Sequence, residues 1–311
     1  KKDYPDYIIP VFTCQLAHDG ANHEKKLVGK KQIEVKLDGV RVIAILYKDK
    51  RPEVFSRNGK QFHNFEHIVD QLAHVVQTYG IGTDMILDGE VMSSSFQDLM
   101  KQVHRKTNVQ SDDAILHCFD MITLEEFQQG GSLRPQHERS QELDSWIEKH
   151  APEIPHVATL TWEDVDLDTE QGQATLKQIN KQAIDGGYEG IMIKDPNAGY
   201  ECKRSHSWLK MKPFIEVTLE VVDVEEGTGR NAGRLGALIC KGEDDGLSIN
   251  VNCGSGFTDS DRDSFWNNRA KLNGRLVEVR ADAITQNQDQ TYSLRFPRFK
   301  GFRGFEPGEK I

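Results

Sequence analysis

The sequence predicts an α+β protein of two domains. Residues 1–212 are expected to form mainly antiparallel sheets with flanking helices, and residues 213–311 a small all-β barrel of OB type. Three observations carry this expectation. Apolar, β-branched segments near 31–47, 53–56, 85–92, 114–121, 189–194 and 208–212 alternate with longer stretches of helical period. After Pro213 the texture changes to short strands separated by glycine-rich or acidic turns, as in EVTLEVVDVEEG, RLGALICKGEDDG, LSINVNCGSG and RLVEVRADAIT. At 311 residues the chain is long enough for two cores, and the change of texture puts the boundary at Lys212–Pro213.

The helical segments are each legible. NFEHIVDQLAHVVQTYG puts Phe65, Ile68, Val69, Leu72, Val75 and Val76 on one face and stops at Gly80. QHERSQELDSWIEKH is a second helix, and TEQGQATLKQINKQAIDGG a third that ends at Gly186 and Gly187. There is no internal repeat and no low-complexity segment.

Composition excludes several classes of function. A hydrophobic share of 37% and a charged share of 28% are those of a globular protein. No apolar run approaches the roughly 20 residues needed to span a bilayer. Cys14, Cys118, Cys202, Cys240 and Cys253 include no Cys-x-x-Cys pair, which argues against a zinc module and a disulfide framework and favours a reducing, cytoplasmic compartment. No leader is visible, and a chain beginning with Lys is expected to lack its first few residues. A net charge of −10 opposes nucleic-acid binding, but local charge matters more. YSLRFPRFKGFR interleaves Arg295, Arg298, Lys300 and Arg303 with Phe296, Phe299 and Phe302, and residues 101–106, KQVHRK, form a second basic cluster.

One segment breaks the strand pattern. In IEVKLDGVRVIAI two apolar flanks enclose Lys-Leu-Asp-Gly-Val-Arg, and a polar interruption between buried strands is costly unless its groups are paired or used. Four more stretches belong with it: SRNGK with Arg57 and Lys60, LDGE ending in Glu90, HCFDM with Phe119, and EGIMIK followed by WLKMKP with Glu189, Lys194, Lys210 and Lys212. A lysine at a strand end is ordinarily solvated, Asp-Gly-Glu is first of all a turn, and Phe119 reads equally as core. WLKMK, however, gives Lys210 and Lys212 one face. Gathered at strand ends, these groups would bring cations and two carboxylates into one cleft, which suits a polyphosphate and Mg²⁺. A lysine in cationic surroundings loses its proton more readily and becomes a nucleophile, the role open to Lys36.

These motifs, in this order from about Ile33 onward, resemble those of the ATP-dependent DNA ligases of the covalent nucleotidyltransferase superfamily, most closely the small two-domain enzymes of bacteriophages. KLDGVR is similar to the family's Lys-x-Asp-Gly-x-Arg, and GTGRNAGRLGALIC, VNCGSGF, LVEVRADAIT and SLRFPRF resemble its OB domain. The resemblance implies a nucleotidyltransferase (adenylation) domain followed by an OB domain. It implies that Lys36 becomes lysyl-AMP, with Lys210 and Lys212 also catalytic at the α-phosphate and Lys194 nearby. Glu34 would reach the adenine amino group and Phe119 would stack on the base. Asp38 belongs to the nucleotide-binding motif, Arg41 and Arg57 would hold ribose and phosphates, and Glu90 would meet the ribose. Glu189, with Glu90, would serve the metal, while Arg57, Arg295, Arg298 and Arg303 would contact DNA.

The implied substrates are ATP with Mg²⁺, or Mn²⁺ in its place, and nicked double-stranded DNA. The implied setting is a monomer in the cytoplasm, the host's if the protein is phage-encoded. Two departures stand out. Where many members continue with Arg-x-Asp-Lys, Arg303 is followed by GFEPGEKI, leaving Glu306 and Lys310 as substitutes, and no room is expected for a helical DNA-binding domain ahead of Glu34. RNA ligases and mRNA capping enzymes share the lysine motif, and a binding protein that has lost activity is a third alternative. An NAD-dependent ligase would need zinc-binding cysteines that are missing here.

Overall fold

In the computed structural model, which describes residues 12–93 and 110–311, the chain divides between Lys212 and Pro213 into two compact units. The basic cluster at 101–106 lies outside the described residues.

Among the described residues the first unit holds two five-stranded sheets and a two-stranded one, Gly131–Ser132 with Tyr200–Glu201. One runs Leu16–Asp19, Arg204–Met211, Gly190–Lys194, Lys30–Lys36, Trp162–Asp166. The other runs Glu53–Phe55, Val40–Leu46, Met85–Met92, Ile115–Thr123, Val157–Thr159. Pairing is antiparallel except where Leu16–Asp19 meets Arg204–Met211 and where Ile115–Thr123 meets Val157–Thr159. The interrupted segment of the sequence is thereby explained: IEVK ends a strand of the first sheet and VRVIAI begins one of the second. Residues 37–39, a buried leucine followed by Asp38 and Gly39, are the crossing between them. Gly39 at this crossing is sterically required, because a Cβ there would sit 2.1 Å from the Val91 carbonyl oxygen.

The helices cover the outer faces. Glu66–Tyr79 buries Ile68, Val69, Leu72, Val75 and Val76 and ends at Gly80, whose φ of 71° suits only glycine comfortably. Glu170–Asp185 packs Leu176 and Ala183 against Ile33, Ile191, Ile193 and Leu209 of the first sheet. Gln136–His150 packs on Ile115–Thr123. A core of Ile43, Ile45, Phe55, Ile86, Ile122, Tyr200 and Trp208 is drawn from both sheets, with Phe119 and Met192 packed against it.

The second unit is a single seven-stranded sheet around Val217, Leu219, Leu238, Ile249, Val277 and Val279. It contains more strands than the sequence texture suggests, for two local reasons. RLVEVRADAIT breaks at Asp282 into Leu276–Ala281 and Ala283–Gln286. SLRFPRF breaks at Phe296, with φ 51°, and Pro297, giving Tyr292–Arg295 and Arg298–Phe302. Helix Asp259–Asn267, which the sequence pattern did not reveal, starts with a capping box between Thr258 and Asp261. The final residues fold back on this unit: Gly308 donates to the Gly274 carbonyl and Ile311 to that of Arg303. Among the described residues no helix is long and apolar enough to cross a membrane.

Candidate active site

Strand register builds the site. In the first sheet Lys36 lies opposite Gly190, Glu34 opposite Met192, and Gln32 opposite Lys194; across the next pair Met192 faces Lys210 and Lys194 faces Trp208. Paired residues share a face, so Glu34, Lys36, Met192, Lys194, Trp208 and Lys210 project together from three adjacent strands. Gly190 leaves a gap between the rows, and a Cβ there would meet the Met211 carbonyl oxygen at 2.0 Å.

At one end of this face Glu189 bridges two amines. Its Oε2 accepts from Lys36 Nζ at 2.9 Å and its Oε1 from Lys212 Nζ at 3.2 Å. The side chains of Glu189 and Lys212 are 2% and 3% exposed, whereas Lys36 keeps 21%, so the nucleophile candidate is the more reachable partner. Lys210 completes the cationic group. Burial first, then the neighbouring charges of Lys212, Lys36 and Arg204, bring its pKa down to about 8. The expected gathering of Lys36, Glu189, Lys210 and Lys212 is therefore seen.

Lys194 does not join them. Its ammonium is buried toward Glu34, 2.6 Å from Oε1, and also donates to the Phe119 carbonyl at 3.0 Å. It stands 4.6 Å from the Trp208 ring centre and 5.0 Å from that of Phe119. Lys194 thus belongs to the Glu34 and Phe119 end of the face. Burial raises the Glu34 carboxyl above the usual range, with Lys194 acting against the rise.

Arg41 is engaged within the fold. Its Nε and Nη2 form a two-point pair with Asp88, and Nη2 donates to the Gln15 carbonyl at 2.8 Å. Tyr200 donates to the same Asp88 at 2.6 Å. The guanidinium lies 5.0 Å from the Phe119 ring centre, so in this arrangement Arg41 braces the aromatic residue and does not reach toward a phosphate. Phe119 itself is half-buried, edge-on to Trp208. Glu90 accepts from the Gly39 N–H at 3.2 Å, and burial raises its carboxyl against the pull of Lys36 and Arg41. Asp38 is half-buried in the crossing, and Arg57 is half-buried in the turn after Glu53–Phe55.

Sequence reading missed Asp88, Tyr200, Trp208 and the buried pair beneath them, Asp120 with Arg139. The one available signal was that LDGE carries two acids, of which only Glu90 was chosen. In the second unit Arg298 pairs with Asp282 at 3.0 Å, Lys300 with Glu216 at 3.1 Å, and the partly buried Arg303 lies 3.9 Å from Glu278. Arg295 is exposed, with its guanidinium over Phe296.

Comparison with known proteins agrees with this geometry. Residues 14–212 match the model of the ATP dependent DNA ligase domain, and residues 226–303 that of the DNA ligase OB-like domain. A DNA ligase of Haloarcula marismortui is 31% identical over 303 residues, covering 87% of this chain and 51% of that protein. One of Methanococcoides burtonii is 28% identical over 310 residues, covering 89% and 52%. The chain thus spans about half the length of these curated relatives. Among solved structures, Pmar-Lig_PreS3 is 59% identical with a TM-score of 0.68, over 98% of this chain and 70% of that one. The ATP-dependent DNA ligase from bacteriophage T7, in complex with ATP, has a similar fold, with 19% identity and a TM-score of 0.54 over 94% and 99% of the two chains. A lysine-bearing cleft between two sheets, followed by an OB-like unit and matched over most of its length, identifies the chain as a member of the ATP-dependent DNA ligase family.

Proposed function

We propose that the protein seals nicks between 5′-phosphate and 3′-hydroxyl ends in duplex DNA, using ATP and working as a monomer in the cytoplasm. The observation that carries the reading is Glu189 holding Lys36 and Lys212 while Lys210 stands beside them. Such a cluster of amines suits a polyphosphate, and phosphoryl transfer depends chiefly on positioning and charge neutralisation. In the first step Lys36 Nζ, having given up its proton, attacks the α-phosphorus of ATP. A P–N bond forms as the bond to the bridging oxygen breaks, and pyrophosphate leaves. The AMP then passes to the 5′-phosphate of the nick, and the 3′-hydroxyl displaces it.

Lys210 and Lys212 hold the α-phosphate during transfer. Glu34, kept in place by Lys194, meets the adenine amino group, and Phe119, braced by Arg41, stacks on the base. Glu90 and Asp38 serve the ribose side, and Arg57 the nick. The donor set fits Mg²⁺: Glu189 and Glu90 offer hard oxygen ligands, few enough for an ion that keeps most of its waters and binds substrate phosphate. Those two carboxylates would hold the ion, which supplies further neutralisation of phosphate charge. In the second unit Arg295 is the arginine open to a DNA phosphate, whereas Arg298 and Arg303 must first leave their acids.

Incubation with α-labelled ATP and Mg²⁺, followed by denaturing electrophoresis, tests the first step. Label should stay on the protein and disappear in Lys36→Ala, and an unlabelled nicked duplex should then discharge it. Persistent label on Lys36→Ala would give the nucleophile to another residue, and label from GTP alone would turn the reading to capping.

A further inference from the structure

We propose that His18, His23 and His206 form a binding site for a divalent transition-metal ion of the zinc class, outside the cleft of amines and carboxylates. The three come from separate elements: edge strand Leu16–Asp19, the junction between the turns Gly20–Asn22 and Glu24–Lys26, and strand Arg204–Met211. One ring nitrogen from each lies within 4.8 Å of the other two. The rings of His18 and His206 stack with centres 3.8 Å apart, and His23 stands edge-on to both, at 5.0 and 4.5 Å.

Three imidazoles this close repel one another if protonated, but as neutral rings each has a nitrogen lone pair to offer, and a shared ion could take all three once the stacked rings of His18 and His206 fan apart. A second observation points the same way. Among the described residues, the buried Nε2 of His23 has no hydrogen-bond partner, an arrangement that is costly for a polar atom and that a metal–nitrogen bond would relieve. Two carboxylates close by in the chain are otherwise engaged, Asp19 with the Ala21 N–H and Glu201 with the Ser205 hydroxyl.

The donor chemistry selects the ion. Imidazole suits zinc, copper, nickel and cobalt, whereas magnesium takes oxygen. Tetrahedral zinc bonds of about 2.0–2.1 Å set ligand nitrogens about 3.4 Å apart, so the three atoms need close by little more than about 1 Å. The side-chain torsions that do this fan the His18 and His206 rings out of their stack. Three protein ligands leave the fourth position to water. The ion would tie the edge strand to the strand bearing Lys210, which lies opposite Asp19 in the register, and so fasten one margin of the cleft.

The test is titration of the metal-stripped chain with Co²⁺ in excess Mg²⁺, followed by visible absorption and reversed by Zn²⁺. One Co²⁺ per chain with a tetrahedral spectrum is expected. Its affinity should fall at least about tenfold in His206→Ala and in His23→Ala, no less than the loss of an outer-shell partner costs. His63→Ala, at an exposed position elsewhere, should bind as before. His206 is exposed, so its replacement leaves the metal-free melting temperature unchanged while abolishing the rise produced by Zn²⁺. Absence of the cobalt spectrum, or a spectrum that both His206→Ala and His23→Ala retain, would overturn the proposal.

Discussion

Replacing Lys194 by methionine separates the buried charge pair from the rest of the site. Lys194 Nζ is 2.6 Å from Glu34 Oε1, with side chains 1% and 6% exposed. At an effective dielectric of about 20 the gross attraction is about 6 kcal/mol, most of it offset by desolvation. Deleting one partner strands the other, which typically costs about 3–5 kcal/mol. For a unit of this size that lowers the melting temperature by about 6–20 °C. Glu34→Gln combined with Lys194→Met removes both charges and should recover much of the loss. The sign of the pH dependence follows from Glu34, whose carboxyl is already raised by burial against the pull of Lys194. Without Lys194 it rises further, so the folded chain binds a proton that the unfolded chain does not. The deficit should therefore shrink on acidification from about pH 8 to about pH 5 and be largest on the alkaline side. Denaturant titrations of both variants across that range provide the measurement. A single-variant loss under about 1 kcal/mol, or a deficit independent of pH, would show that the pair is effectively solvated and refute the reasoning.

Three other outcomes follow. Lys210 is charged below its pKa of about 8, so adenylation of Lys36 should decline as pH rises through that value, and Lys210→Arg should flatten the alkaline limb; the same lowered pKa means that stability gains with pH from about 8 upward, where the unfolded chain holds the extra proton. Gly39→Ala drives a Cβ against the backbone oxygen of Val91 and should cost at least about 1–3 kcal/mol on thermal unfolding, with labelling from ATP lost. Arg295→Ala should weaken binding to nicked duplex and reduce the slope of log affinity on log salt by about 1, whereas Arg298→Ala, already paired with Asp282, should change the slope less; equal slopes for wild type and Arg295→Ala would remove Arg295 from the DNA contacts.

How far the sequence could be read depended on the range of the interaction involved. Helix Gln136–His150 and the buried face of Glu66–Tyr79 rest on local periodicity, and both were visible. Glu34 and Lys36 share a face through strand alternation, which was also legible. Asp88 was not, because its partners Arg41 and Tyr200 are 47 and 112 positions away. An acid in Asp-Gly-Glu looks like a turn residue until the strand Met85–Met92 is closed over it. The arginines of the second unit mislead for a similar reason. Glu278 sits on the neighbouring strand Leu276–Ala281, Glu216, the partner of Lys300, on the strand beyond it, and Asp282 at the break after Leu276–Ala281, so a basic stretch in sequence becomes a mixed surface in space. Lys194, in sequence a weaker candidate near Lys210 and Lys212, gets its place from the register, which puts it opposite Gln32 and Trp208, farther along the face from Lys36.

The charge arrangement explains how an acidic chain can keep a site for polyanions. Three amines cannot share a buried cleft without compensation, and Glu189 supplies one negative charge, divided between Lys36 and Lys212. Burial first, and then the neighbouring positive charges, leave Lys210 with the loosely held proton. A triphosphate entering the cleft would reverse the balance, since its charge meets the needs of all three amines at once. It would also compete with Glu189 for Lys36, freeing that amine for attack on phosphorus. In the proposed reading the carboxylate that bridges the amines is thus the group that a nucleotide would displace. Glu34, with its separate buried partner Lys194, would in the same reading be spared this exchange, so that the end of the face bearing Phe119 would keep its shape while the amines rearrange.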